Sequence, residues 1–122
     1  MHLRLENFDG PLDLLLHLIK AQELNIFNIP IAIITEQYLS FLKQVPALDF
    51  HSAGEYLAMA AQLIEIKANL LVPVLQNNLQ ESQTLEDIPE DDPRRVLVEQ
   101  LLEEVILLVH LFQLEHFYHQ AD

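Results

Sequence analysis

The sequence predicts an all-α protein, and three observations carry that prediction. Only 2 glycines occur in 122 residues, which leaves little material for the turns and bulges of a β-sheet. Hydrophobic residues, mostly leucine, isoleucine and valine, make up 51% of the chain, enough to build a buried core. They recur at helical spacing in segments that proline interrupts. We therefore expect a three-helix N-terminal bundle (residues 1–75), an acidic linker (76–92) and a long fourth helix (93–122).

The first two predicted helices both begin at proline, which is favoured at the first position of a helix. Pro11 opens the first, with apolar residues at positions 12, 15, 16 and 19, and this helix should end near Asn25. Pro30 opens the second, which should end before Pro46. The apolar face of the second helix is Ile31, Ile34, Tyr38, Phe41 or Leu42, and Val45. Residues 1–8 alternate loosely, which predicts a short extended segment.

The third helix carries two apolar stripes. Ser52 is a good N-cap and Glu55 completes a capping box, so the helix should run from Ser52 to about Val72. The first stripe is Tyr56, Met59, Leu63, Ile66 and Leu70, and the second is Leu57, Ala60 or Ala61, Ile64, Ala68 and Leu71. A bundle helix normally needs one stripe, so the second favours a partner helix. A central helix buried on both sides by its own chain is the alternative.

The last helix is apolar on nearly every side. Residues 76–92 hold 6 of the 19 acidic residues and no basic one, which predicts a solvated, mobile linker. Asp92 and Pro93 then supply a cap and a first position for a helix that runs towards His119. Between Val105 and Leu114 the apolar residues cannot all face one way. We expect a helix that binds a partner or mediates oligomerisation.

Composition excludes several classes of protein. The absence of cysteine rules out a disulfide framework, a thiolate zinc site and a cysteine nucleophile, and fits a reducing compartment. No apolar run approaches the ~20 residues of a membrane helix, and no signal peptide is recognisable. The net charge of −13, with 6 basic residues, disfavours nucleic-acid binding by this chain alone.

Neither catalysis nor metal binding has a recognisable motif. His110, His116 and His119 lie on the last helix, but no glutamate precedes a histidine at the spacing that bundle metal sites use. Glu103 and Glu104 are neighbours and point to different sides of a helix. We expect no catalytic residue, no metal ligand and no cofactor.

Five segments closely resemble one known family. They are Asn7–Ile19, Asn28–Ile31, Ile34–Leu39, Glu55–Ala61 with Ile66 and Lys67, and Asp92–Arg94. In order and spacing they are similar to segregation and condensation protein A (ScpA), the family of bacterial kleisins, from residue 3 to about residue 103. The resemblance implies a cytoplasmic, nucleoid-associated and non-catalytic subunit that serves chromosome condensation and segregation in dividing cells.

The resemblance also implies partners. Members of the family bridge the two heads of an SMC ATPase dimer; their N-terminal domain docks on the neck coiled coil and their middle segment binds a ScpB dimer. The third helix matches the neck-binding helix, which implies that the SMC-neck contact is Tyr56, Met59, Leu63, Ile66 and Leu70. We assign ScpB binding or self-association to Val98, Leu101, Val105, Leu108 and Phe112.

The sequence departs from the family in two respects. It ends at Asp122, so we expect an N-terminal portion without the C-terminal winged-helix domain, unable to close a ring alone. After Leu102 the family continues with a more polar helix, whereas this chain is unusually apolar. We expect this segment to fold back on the bundle or to drive self-association. A homodimeric helical adaptor that uses the same apolar faces is the alternative function.

Overall fold

The computed structural model describes residues 8–44, 50–70 and 84–120, and the regular elements in these ranges are all helical. They are α1 (Pro11–Ala21), α2 (Ile31–Gln44), α3 (Phe50–Asn69), one 3₁₀ turn (Leu85–Asp87) and α4 (Arg95–Gln120). The predicted all-α class is confirmed. None of the helices in this part of the chain is both long enough and apolar enough to cross a membrane. Of the extended segment predicted for residues 1–8, residues 1–7 lie outside the described residues.

The helix α1 begins at Pro11 as predicted but ends at Ala21, before Asn25. Its end is a Schellman turn, in which the N–H of Glu23 donates to the carbonyl of Lys20 (3.1 Å) and the N–H of Leu24 to that of Ile19 (2.9 Å). Glu23 adopts a positive φ of 56° there, a conformation that glycine usually supplies. Because glutamate holds the position, no sequence signal marks the helix end.

The helix α3 begins at Phe50, two residues before the predicted start. Ser52 therefore lies inside the first turn, and its assignment as the N-cap was wrong. Asp49, which immediately precedes the helix in the sequence, belongs to an equally good class of capping residue. The predicted end at Val72 lies outside the described residues, as does Val45 of the second helix.

One hydrophobic core unites all four helices. The apolar face of α2 is buried as predicted at Ile31, Ile34, Tyr38 and Leu42, with Phe41 half-buried against it. The Tyr38 hydroxyl donates a hydrogen bond to the backbone carbonyl of Tyr56 (2.7 Å) and ties α2 to α3. Completing the core are Leu14, Leu15, Ile19, Ile29, Tyr56, Met59, Ala60, Leu63, Ile66, Ile88, Leu97, Val98 and Leu101.

The first half of α4 belongs to this core. Leu97, Val98 and Leu101 are buried, and α4 packs against α1. The segment before it is anchored too, because Thr84 and Asp87 cap the 3₁₀ turn and Ile88 is buried. The packing therefore continues across the predicted boundary at residue 93, and residues 84–92 are not a detached linker. Residues 76–83 lie outside the described residues.

A buried ion pair fixes the start of α4. Arg94 contacts Asp92 (3.0 Å), and both side chains are almost wholly inaccessible to solvent. The Arg94 guanidinium also donates to the Asn28 side chain (3.0 Å) and to the carbonyl of Ile29 (2.9 Å). The Asp92 carboxylate accepts a hydrogen bond from the backbone N–H of Arg94 (2.9 Å), much as its predicted capping role requires. The helix α4 begins at Arg95, two residues later than predicted.

Candidate partner-binding surfaces

The residues predicted to contact an SMC neck lie in the chain's own core. Tyr56, Met59, Leu63 and Ile66 are buried, and Leu70 is half-buried against them. In the folded bundle the four buried side chains offer almost no surface to a partner, and Leu70 is only partly exposed. The assignment of the surface contact to these side chains therefore does not fit the fold, although the choice of helix is unaffected.

The second stripe of α3 is the exposed one. Leu57 and Ile64 are 48% and 50% exposed, and Ala58, Ala61 and Ala68 are exposed between and beside them. We call these five residues the α3 face. The five residues are uncharged, and the exposed Glu65 lies beside them, one turn after Ala61. The alanines leave room for another helix to approach closely, since interhelical distance depends on the side chains at the contact.

A size difference between the stripes explains which one is buried. The first stripe contains one tyrosine, one methionine and three large aliphatic residues, whereas the second contains alanine at two or more positions. Hydrophobic stabilisation grows with the apolar area removed from water, so the bulkier stripe is buried first. Spacing alone could not distinguish the stripes, but side-chain volume was a usable signal.

An open groove of about 360 Å³ lies beside the α3 face. It is bounded by residues 9–12 at the start of α1, by α3 and by α4, and three carboxylates line it: Asp9, Glu55 and Glu104. The Gln62 side chain donates to the Gln100 side chain (2.6 Å) across the same groove. We call it the acidic groove. Sequence reasoning missed it, because its members come from three separate elements.

The pKa values of Glu104 and Tyr56, near the groove, are both raised. Burial raises the pKa of Glu104, and the carboxylates of Asp13 and Asp9 raise it further. Burial also raises the pKa of Tyr56, with smaller contributions from Asp13 and Glu55 that a hydrogen bond to the Gly10 backbone partly offsets. The groove is therefore a site of concentrated negative charge.

The residues predicted for ScpB binding or self-association divide into two groups along α4. Val98 and Leu101 are buried in the core, whereas Val105 and Phe112 are exposed, Phe112 by 69%, and Leu108 is half-buried. We call residues 105–114 the α4 belt. Its exposed large apolar side chains are Val105, Ile106, Leu107, Val109, Leu111, Phe112 and Leu114. The first half of α4 thus packs on the bundle, and the belt extends beyond it.

The histidines of α4 do not form a metal cluster in the described part of the chain. His110 and His116 are exposed, and the His116 ring stacks on Phe112 with centroids 6.3 Å apart. The side chain of His119 lies outside the described residues.

Comparison with known proteins identifies the family. The family model described as segregation and condensation protein ScpA matches residues 18–105, well over half of the chain. The chain belongs to this family. The predicted resemblance is thereby confirmed.

Curated relatives support the same membership. Segregation and condensation protein A of Enterococcus faecalis is 47% identical over 106 residues, which cover 84% of this chain and 38% of the relative. The proteins of Bacillus cytotoxicus and Bacillus subtilis are 49% and 47% identical over 100 residues, which cover 82% of this chain and 39% of each relative. The chain thus spans about two fifths of the length of these relatives.

The family match covers one of the two exposed apolar surfaces but hardly extends into the other. The family model includes α2, α3 and the first half of α4, and it ends at Val105, where the belt begins. The α3 face therefore lies in sequence shared with the family. The α4 belt lies almost entirely beyond that match.

Proposed function

We propose that this chain is a non-catalytic kleisin subunit of a bacterial SMC condensin-like complex and that its α3 face docks on the neck coiled coil of SMC. The observation that carries the proposal is an exposed apolar helix face inside the region shared with the segregation and condensation protein A family. Such a subunit would act in the cytoplasm at the nucleoid, in chromosome condensation and segregation.

The apolar character and the small side chains of the α3 face suit contact with a helix of the neck coiled coil. A coiled-coil helix laid along α3 would bury the exposed halves of Leu57 and Ile64, each contributing about 1 kcal/mol. The alanines between them permit close approach of the two helices. The ATPase chemistry belongs to SMC, and this chain contributes binding alone. Modest interfaces of this kind gain strength when one chain bridges two sites.

The exposed half of α4 is our proposed site for the second partner, a ScpB dimer. Val105, Leu108 and Phe112 are the accessible members of the predicted set, while Val98 and Leu101 hold the helix on the bundle. Residues after Val105 lie outside the family match, so this assignment rests on exposure.

Titration against an SMC head that retains its neck coiled coil tests the neck contact. We expect saturable binding that the double variant Leu57→Glu, Ile64→Glu abolishes while its circular dichroism spectrum stays helical. The matched control is Ile33→Glu, Val96→Glu, which also adds two charges, because both side chains are exposed outside the α3 face, by 49% and 59%. Binding that survives the α3 double variant, or that the control loses equally, would contradict the proposal.

A homodimeric adaptor is the second candidate function, and the α4 belt is the observation that favours it. Monomeric proteins rarely expose contiguous apolar patches beyond a few hundred Å², and seven large apolar side chains of the belt are exposed. Sedimentation equilibrium should then show a mass that rises with concentration and returns to the monomer in Ile106→Glu, Phe112→Glu. A monomeric wild-type chain at all concentrations would eliminate this candidate.

A further inference from the structure

We infer that the helix bound by the α3 face carries a lysine or arginine whose side chain enters the acidic groove. This inference rests on the proposed neck contact and specifies the chemistry of the partner surface. It assigns a second component to the interface, a charge-assisted contact beside the apolar one.

The groove and the α3 face form one continuous surface. Ala58 is exposed on the α3 face and also lines the groove, and Glu55 lies one turn before it on the same helix. A helix that packs along Leu57 and Ile64 therefore passes the mouth of the groove. A long side chain on the flank of that helix can reach the carboxylates without moving the backbone of either partner.

The charge of the groove selects a basic side chain. Asp9, Glu55 and Glu104 line it, and no lysine, arginine or histidine is among the described residues that do. The raised pKa of Glu104, which burial and the carboxylates of Asp13 and Asp9 cause, is consistent with unneutralised negative charge at this position. A cation placed there would relieve the repulsion.

A side chain of the docked helix fits the groove better than a free metal ion. The described acidic residues do not come together in a cluster that could hold a metal. The groove is open and has about 360 Å³ of space, within the range of ~300–1,000 Å³ of pockets that hold small ligands. Lysine and arginine have long apolar stems that can lie against Pro11, Leu12 and Met59 in its lining.

Two charge-matched triple variants test the inference. The groove variant is Asp9→Asn, Glu55→Gln, Glu104→Gln, and the control is Glu36→Gln, Glu86→Gln, Glu90→Gln, three exposed acids elsewhere on the described surface. Both remove three negative charges. Calorimetric titration of each against the SMC head with its neck, at low and at physiological salt, should show the groove variant binding at least roughly tenfold more weakly than the control. Its affinity should also depend less on salt.

The possible outcomes separate this inference from the function on which it rests. If the wild-type chain does not bind the SMC neck, both the proposed function and this inference fail. If the wild type binds and the two triple variants bind equally well, the groove has no basic occupant and the inference fails alone. If chelation of divalent cations weakens the wild type to the level of the groove variant, the occupant is a metal ion and the inference is overturned. Thermal unfolding of both variants establishes that each remains folded.

Discussion

At the scale of single residues, Arg94 joins two parts of the chain that are far apart in the sequence. Its guanidinium contacts Asp92 at the start of α4 and both Asn28 and the carbonyl of Ile29 in the connection between α1 and α2. Both ionised groups are removed from water, so the attraction between them offsets the cost of burying each charge. This contact holds the start of α4 against the connection between α1 and α2.

Removing one member of this pair should be strongly destabilising. Arg94→Met leaves the Asp92 carboxylate buried without its cation, and we expect the free energy of unfolding to fall by about 3–5 kcal/mol, measured by urea denaturation. Lys43→Met, which removes an exposed charge near the end of α2, is the control and should change stability by less than about 0.5 kcal/mol. Equal effects of the two variants would show that the buried pair contributes nothing special.

Glu104 should make stability depend on pH in a defined direction. Because its pKa is raised in the folded chain, the folded state binds a proton more tightly than the unfolded state, and the ionised form is penalised at neutral pH. Glu104→Gln should therefore raise the urea midpoint at pH 7. The gain should disappear as pH falls below the unfolded-state pKa, where wild-type Glu104 is protonated in both states. A gain that persists unchanged at low pH would contradict this explanation.

At the scale of elements, α3 has two apolar faces, one buried in the core and one exposed. Two adjacent residues lie on different faces: Leu63 is fully buried, and Ile64 is 50% exposed. Leu63→Ala should cost about 2–5 kcal/mol of stability through a cavity in the core. Ile64→Ala should cost far less, although the two substitutions remove similar side chains. Comparable losses would mean that both faces are buried.

Sequence reasoning could reach the elements but not every contact. Proline positions and apolar spacing fixed α1, α2 and the two stripes of α3, since both signals are local. The end of α1 at Ala21 and the start of α3 at Phe50 differ from the predictions. At the first, Glu23 holds the positive φ that glycine usually supplies; near the second, Asp49 belongs to the same class of capping residues as Ser52. The role of Arg94 depends on residues 65 and 66 positions away, Ile29 and Asn28. No local pattern encodes such a contact.

At the scale of the whole molecule, α4 is one helix with two environments. Its first half completes the core through Leu97, Val98 and Leu101, whereas the belt is exposed. Hydrogen exchange should therefore protect amides 98–104 about as well as those near Leu63, while amides 106–116 exchange much faster. Fast exchange throughout α4 would instead favour the predicted boundary at residue 93 and a separate fourth helix.

The central claim, that the α3 face meets the neck of SMC, is tested most directly by site-specific crosslinking. The chain has no cysteine, so Ile64→Cys and Ile33→Cys each give one attachment point for a photoreactive benzophenone at nearly equal exposure. In the complex with an SMC head and neck, we expect position 64 to crosslink to the neck coiled coil and position 33 to remain uncrosslinked. A complex that forms without crosslinking at position 64, or with equal crosslinking at both positions, would contradict the account.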